Sequence, residues 1–247
     1  MRYVVFDLET TGLSPFSGDR ICEIGAVKIV DEKIVDRFWT LVNPERELSF
    51  EAYRVNRITP DMLESAPKIS EVLPEFLNFI KDTKIAAYNA GFDLSFLNME
   101  LTRLNMPVIS DDQVIDIYIL AKKLLPEIGF YPLWNVAKSL KIAITGSHRA
   151  LADAMVAAQV FIKLLSQGGT VILERAHMDY RRNRKLLQQA LREGRKIKIK
   201  FITDEGEIEE ETVIPIGIID ELEQELLCCK VGGKELTLPL AVIQEVR

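Results

Sequence analysis

Tyr3-Val4-Val5-Phe6-Asp7-Leu8-Glu9-Thr10-Thr11-Gly12 is the stretch on which the reading of the whole chain turns. It is a short apolar run that ends abruptly in acids. Successive strand side chains alternate faces, so Asp7 and Glu9 point the same way while Leu8 turns to the core. Two carboxylates side by side repel each other unless a cation or a proton sits between them. Thr10-Thr11-Gly12 then turns the chain and offers backbone N–H groups beside that charge. The plainer alternative is an acidic strand end followed by an ordinary turn.

Outward from this strand, Ile21 to Val30 and Lys33 to Val42 read as two more strands, joined by a hairpin at Asp31-Glu32. A loop-rich stretch with Pro44, Pro60 and Pro67 follows. Val72, Phe76, Leu77 and Ile80 then recur at helical spacing, and Lys84 to Tyr88 returns as a strand. Phe92 to Leu104 is helical, with Leu94, Leu97, Leu101 and Leu104 on one stripe. Val114 to Leu125 and Leu133 to Leu140 also read as helices, separated by Pro126, Gly129 and Pro132. Arg149 to Leu165 is an alanine-rich helix, closed by Gly168-Gly169. Three antiparallel strands followed by strands alternating with helices predict an α/β fold, a mixed sheet flanked by helices.

Beyond Gly169 the pattern changes. Val171 to Arg192 reads as one helix carrying Arg181, Arg182, Arg184 and Lys185. Past Gly194 the chain alternates as strands do, Ile197, Ile199 and Phe201 against Lys198 and Lys200, with turns at Gly206 and Gly232-Gly233 and a last alternation of Leu236 and Leu238 up to Pro239. The expected organisation is a main domain over 1–168, a connecting basic helix over 169–193 and a small β domain over 194–247. So small a β unit leans on its helix or on the main domain for a core.

Composition narrows the function classes. The chain has 247 residues, 48% of them hydrophobic and 28% charged, which excludes wholesale disorder. Cys22, Cys228 and Cys229 are an odd count without ligand-like spacing, and are read as small apolar residues. No apolar run is read as reaching a membrane span, and the N-terminal stretch lacks the features of a signal peptide, so a cytoplasmic protein without a membrane partner is expected. The net charge of −6 conceals a basic belt over 175–200, net +8, ahead of an acidic block over 201–247, net −9. That belt keeps a polyanionic partner in view.

Two further constellations carry polar chemistry. Tyr88-Asn89-Ala90-Gly91-Phe92-Asp93 lies where a strand gives way to a helix, and Asp93 is either a site acid or the helix N-cap. In His148-Arg149-Ala150-Leu151-Ala152-Asp153-Ala154, a continuous helix would set His148 and Asp153 roughly 140° apart. They share a site only if Gly146 and Ser147 are loop and His148 precedes the helix.

In that order, and at those separations, the three segments resemble the DEDDh 3′–5′ exonucleases, the superfamily of the proofreading epsilon subunit of DNA polymerase III, ribonuclease T and oligoribonuclease. The resemblance runs over roughly residues 1–168 and is closest to the epsilon type, whose pattern Val42-Asn43-Pro44 and Val55-Asn56-Arg57-Ile58-Thr59 also follow. It implies a ribonuclease H-like fold, with Asp7, Glu9, Asp93 and Asp153 as metal-binding acids and His148 as general base. It implies two Mg²⁺ or Mn²⁺ ions as cofactors, because carboxylates without thiolates suit those metals. Paired divalent ions activate the attacking water and neutralise charge on the leaving oxygen, and a His near its ordinary pKa can take the proton. The implied partner is the 3′ end of single-stranded nucleic acid, DNA above RNA, in proofreading or repair beside a DNA polymerase. Thr10, Thr11, Gly12, Glu51, Asn56, Asn89 and Phe92 are the implied substrate contacts. Positions 56 and 88, often His in the epsilon type, are Asn and Tyr here. An RNA or short-oligonucleotide exonuclease is the competing enzyme, and a nucleic-acid or nucleotide-sensing binding protein the competing class.

The segment from Gly194 to Val246 resembles, more loosely, the WYL domain of bacterial regulators, a small Sm/SH3-like β-barrel. The carriers are Arg195 to Phe201, Val213-Ile214-Pro215 and Leu236 to Leu240. The residues that name that domain are replaced near Glu225-Leu226-Leu227.

Overall fold

The computed structural model describes residues 1–110, 113–144, 148–202, 208–221, 224–240 and 243–247. The chain divides into two compact units, 1–118 with 132–166 and 119–131 with 167–247.

The first unit is built on a five-stranded mixed sheet ordered β3-β2-β1-β4-β5. Its strands are β1 (Arg2–Thr10), β2 (Ile21–Val30), β3 (Lys33–Leu41), β4 (Lys84–Ala87) and β5 (Val114–Asp116). The first three are antiparallel, and β4 and β5 join in parallel. Asp31 and Glu32 both take positive φ, 47° and 60°, the backbone that lets a two-residue hairpin follow the strand twist.

Alternation along β1 decides what each face of the sheet meets. Val4, Phe6 and Leu8 join a buried cluster with Val72, Leu73 and Phe76 of α3 (Ile69–Ile80) and Leu94, Leu97 and Leu101 of α4 (Ala90–Arg103). Phe6 and Phe76 sit with ring centroids 5.8 Å apart. The odd residues face the other way, where Tyr3 meets Phe161 of α7 (Ala150–Leu164) edge-on at 5.0 Å. Asp7 and Glu9 therefore emerge on the face that α7 crosses. That crossing is close: a Cβ on Gly25 of β2 would lie 2.2 Å from the Ala150 carbonyl carbon and the Leu151 nitrogen.

Several elements differ from the sequence expectation. Val114 to Leu125 is not one helix: Val114-Ile115-Asp116 completes the parallel sheet as β5, and α5 (Ile117–Leu124) follows. A short apolar run has no period that separates strand from helix. The Pro-rich stretch holds two short helices, α1 (Phe50–Asn56), whose Ser49 side chain accepts the Ala52 N–H, and α2 (Pro60–Glu64), with Pro at its first position. After α6 (Leu133–Ser139) and α7, Gly168-Gly169 does not end the helix. A π-helical turn, Leu165–Gly169, leads directly into α8 (Thr170–Glu193). A glycine costs a helix only about 1 kcal/mol. One segment, Ala150–Gln167, is long and apolar enough to span a bilayer, which corrects the sequence reading. Here it is a core helix, with Ala154, Ala157, Ala158 and Phe161 buried.

The second unit carries a five-stranded antiparallel sheet ordered β10-β6-β7-β8-β9. The strands are β6 (Ile197–Ile202), β7 (Ile208–Glu221), β8 (Gln224–Val231), β9 (Lys234–Pro239) and β10 (Ile243–Val246). The turn expected at Gly206 lies outside the described residues, whereas Gly232 and Gly233 join β8 to β9 with φ of 56° and 88°. Leu187 and Ala190 of α8 complete the core under Ile197, Ile199, Phe201 and Val213. Buried Asn183 donates its amide N–H to the Ile243 carbonyl at 3.1 Å. The helix thus supplies one wall of a core too small to close alone. Arg181, Arg182 and Lys185 stand exposed on it, and Lys198 pairs with Glu210 across β6 and β7.

Candidate active site

The site forms at the C-terminal end of β1, where β1 lies between an antiparallel and a parallel neighbour. Asp7, Glu9 and Asp153 are half-buried there, and one carboxylate oxygen from each lies within 4.8 Å of the others. Burial, then the charges of Asp93, Glu9 and Asp153, push the Asp7 carboxyl well above its usual range. Burial, then Asp153 and Glu23, raise Glu9 from 4.5 to about 8, against a lowering hydrogen bond from Asn56. Burial also raises Asp153. Each group is penalised for charge in a place that gathers charge, as expected of acids arranged to receive a cation. The donor set is all oxygen, which suits Mg²⁺ or Mn²⁺ and not a thiolate-seeking metal.

Asp93 enters from α4. That helix starts at Ala90, so Asp93 lies within its first turn and is not the N-cap. Its carboxylate accepts the Leu8 N–H at 2.8 Å, between Asp7 and Glu9. The cap falls to Asn89, in the left-handed region at φ 64°. Its N–H and that of Ala90 are taken by the Asp116 carboxylate, at 3.2 and 3.1 Å. Asp116 also accepts the Tyr118 N–H at 2.8 Å. It was not singled out in the sequence, although an acid at the end of an apolar run was the available signal.

Asp153 and His148 come from the start of α7. Residues 145–147 lie outside the described residues, but His148 and Arg149 precede the helix, with Arg149 as N-cap. His148 is left-handed, at φ 58°. Its backbone N–H donates to Asp153 Oδ2 at 2.7 Å, and its side chain is exposed. The two residues are thus brought together by the break before the helix, not by the helix itself.

The candidate substrate contacts divide. Thr10 and Thr11 are buried. The Thr10 hydroxyl donates to the Gly12 carbonyl at 2.6 Å, and that of Thr11 accepts the Arg20 N–H at 3.1 Å. Both hydroxyls are engaged within the loop. Gly12 leaves room for the Asp19 carboxylate, whose atoms would lie 2.3–2.6 Å from an added Cβ. Asn56 is buried against Glu9 and receives the Ile58 N–H at 3.0 Å. Glu51 is exposed in the first turn of α1. Phe92 is half-buried against Phe96, centroids 4.9 Å apart.

A family model described as an exonuclease, of the ribonuclease T type, matches residues 4–161. The chain belongs to the exonuclease family. Its exonuclease segment is 45% identical over 163 residues to the DNA polymerase III PolC-type of Thermotoga maritima. That match covers 66% of this chain but 12% of the relative, so the chain spans a small part of the PolC-type proteins it resembles. The DNA polymerase III subunit epsilon of Treponema pallidum is 38% identical over 168 residues, 67% of this chain and 77% of that one. Among solved structures, exonuclease X in complex with 5′ overhanging duplex DNA matches with a TM-score of 0.55 and 29% identity, over 68% of this chain and 93% of that one. Exonuclease I from Methylocaldum szegediense matches with a TM-score of 0.66 over 99% of this chain and 64% of that one. At 16% identity the second likeness is one of fold.

Proposed function

We propose that this exonuclease removes nucleoside 5′-monophosphates from the 3′ ends of single-stranded DNA in the cytoplasm, in proofreading or repair beside a DNA polymerase. The observation that carries the reading is the approach of Asp7, Glu9 and Asp153 within 4.8 Å at the end of β1. The epsilon and PolC-type relatives favour DNA over RNA.

Asp7, Glu9, Asp93 and Asp153 would hold two Mg²⁺ or Mn²⁺ ions. When bound, such ions supply charge neutralisation at the attacking and leaving oxygens and ease deprotonation of the water. His148 takes the proton of that water; its exposed ring is free to approach once a 3′ end is seated. Asn56 holds Glu9 from one side, and Phe92 offers a ring edge for the terminal base. The second unit is read as a small Sm/SH3-like barrel, supported by the return of β10 to the side of β6. Its helix α8 presents Arg181, Arg182 and Lys185 to a phosphate backbone.

Hydrolysis of end-labelled single-stranded DNA and RNA with Mn²⁺, wild type beside Asp7→Ala, tests the reading. The expected result is mononucleotide release from the 3′ end, faster on DNA, with Asp7→Ala reduced by about 10³-fold or more, as for loss of a group acting on transition-state charge. A faster rate on RNA would transfer the activity to RNA processing. Absence of release from both would overturn the enzymatic reading.

A further inference from the structure

Directly across the sheet from Glu9, in register on β2, stands Glu23. It is fully buried, with 0% exposure, yet lies outside the group of acids that could share a metal. Its surroundings are donors. The Arg149 guanidinium reaches it from Nη2 at 2.7 Å to Oε1 and from Nε at 3.1 Å to each oxygen. The Ala150 N–H, the first inside α7, donates to Oε2 at 2.9 Å, and the Trp39 indole N–H from β3 donates to Oε1 at 2.6 Å. Two residues along β2, Gly25 gives the α7 backbone its close seat.

We infer that Glu23 is a positioning residue for the reaction, one that fixes where α7 begins and thereby sets both Asp153 and His148. The inference rests on the exonuclease reading. A carboxylate facing the start of a helix meets unsatisfied N–H groups and the positive end of the helix dipole. Glu23 takes the Ala150 N–H and clamps the side chain of the N-cap residue in one grip. With Arg149 and Ala150 fixed, the left-handed turn at His148 carries its N–H onto Asp153, three residues into the helix. Without the clamp, the start of α7 is free to fray, and His148 and Asp153 lose their common reference. The Arg149 charge also offsets a buried carboxylate that would otherwise only add to the repulsion at Asp7 and Glu9.

The test uses the full chain with Trp134→Phe as background, leaving Trp39 as its one indole. Glu23→Gln keeps the shape but turns an amide N–H toward a donor. Arg149→Lys keeps the charge but loses the fork. In Glu23→Gln the Trp39 emission should shift, Mn²⁺ affinity measured calorimetrically should fall about tenfold and kcat about 100-fold, the range for partners that orient metal-binding groups. KM should stay within about twofold, because the lost interaction orients the reacting groups and not the substrate. Arg149→Lys should move the same readouts in the same direction, and the double variant should be no worse than Glu23→Gln by more than about threefold, since both act through one contact. Wild-type Mn²⁺ affinity and kcat in folded Glu23→Gln would overturn the inference, as would losses that multiply in the double variant. Should Glu23→Gln not fold, Arg149→Lys, altered at a part-exposed side chain, decides by the same readouts. If the wild type releases no nucleotide, the exonuclease reading falls, while Mn²⁺ affinity and indole emission still judge the clamp.

Discussion

Glu9 and Glu23 face one another across β1 and β2, both withdrawn from bulk water, and have opposite surroundings. Glu9 is hemmed by Asp153 and Glu23 and sits at about 8, unwilling to carry its charge. Glu23 is ringed by a guanidinium, an indole N–H and a helix-terminal N–H. The residue type and the strand position are nearly the same; the count of donors within reach is what differs. A withdrawn carboxylate with its donors in place is a structural fixture, and one left among other acids awaits a cation.

The seat beneath the clamp offers the most severe way to break this contrast. Gly25→Ala would set a methyl 2.2 Å from the α7 backbone, so α7 must lift from the sheet. A misplacement near 1 Å costs about 100-fold in rate where reacting groups must align. Overpacking of this kind costs about 3 kcal/mol, roughly 6–12 °C in Tm for a chain of this size. Steady-state turnover and a thermal melt measure both losses. Gly217→Ala in β7 is the control: an added Cβ there meets nothing within 4 Å, and Tm should hold within about 1–2 °C. Equal losses at the two glycines would show that the site gains nothing from the closeness of α7.

A milder effect follows from the raised acids. Below its ordinary value of 4.5, Glu9 is protonated in folded and unfolded chains alike, and the stability its proton contributes is fully present. As pH rises through about 8 the folded protein gives up that proton and the contribution is lost. Asp7 and Asp153, also raised, act with the same sign. Melts in a chelator should therefore show Tm falling between pH 5 and 8.5, and Mn²⁺ should stabilise more at the upper end, where it replaces a proton. A chelated Tm that climbs across this window would mean the acids are already compensated, as Glu23 is.

The same contrast explains what could be read beforehand. Asp7 and Glu9 were legible because strand alternation alone sets two acids on one face. The mixed sheet was legible because Phe6 and Phe76 belong to segments with different periods. Asp153 was legible only conditionally, since five residues of helix would have parted it from His148, and the left-handed break that joins them has no periodic signature. Glu23 and Asp116 were missed. Each is an acid in an apolar run, and its meaning depends on N–H groups at the start of α7, over a hundred residues away, for Glu23 and at the start of α4 for Asp116. β5 was hidden in the same way, because so short a run as Val114-Ile115-Asp116 becomes a strand only when β4 is beside it.

The smallest expected effect lies in the second unit, where paired surface charges lie beside a basic row on α8. Lys198 is paired with Glu210, and Arg247 with Glu245. Arg181 and Lys185 stand on the side of α8 away from the Asn183, Leu187 and Ala190 stripe that packs into the core, and exposed Arg182 flanks that stripe. If this row grips a phosphate backbone, each contact releases condensed counterions, and log(kcat/KM) falls with log salt by about 0.7 per single-strand phosphate. Replacing all three by Ala should flatten that slope by about 2 on a long strand and leave turnover of a dinucleotide within about twofold, because nothing at the end of β1 has changed. A slope that stays fixed while activity drops equally on every length would assign the row to charge balance with the acidic strands of its own unit. The salt dependence separates the two cases because only a row bound to phosphate releases counterions when the strand binds.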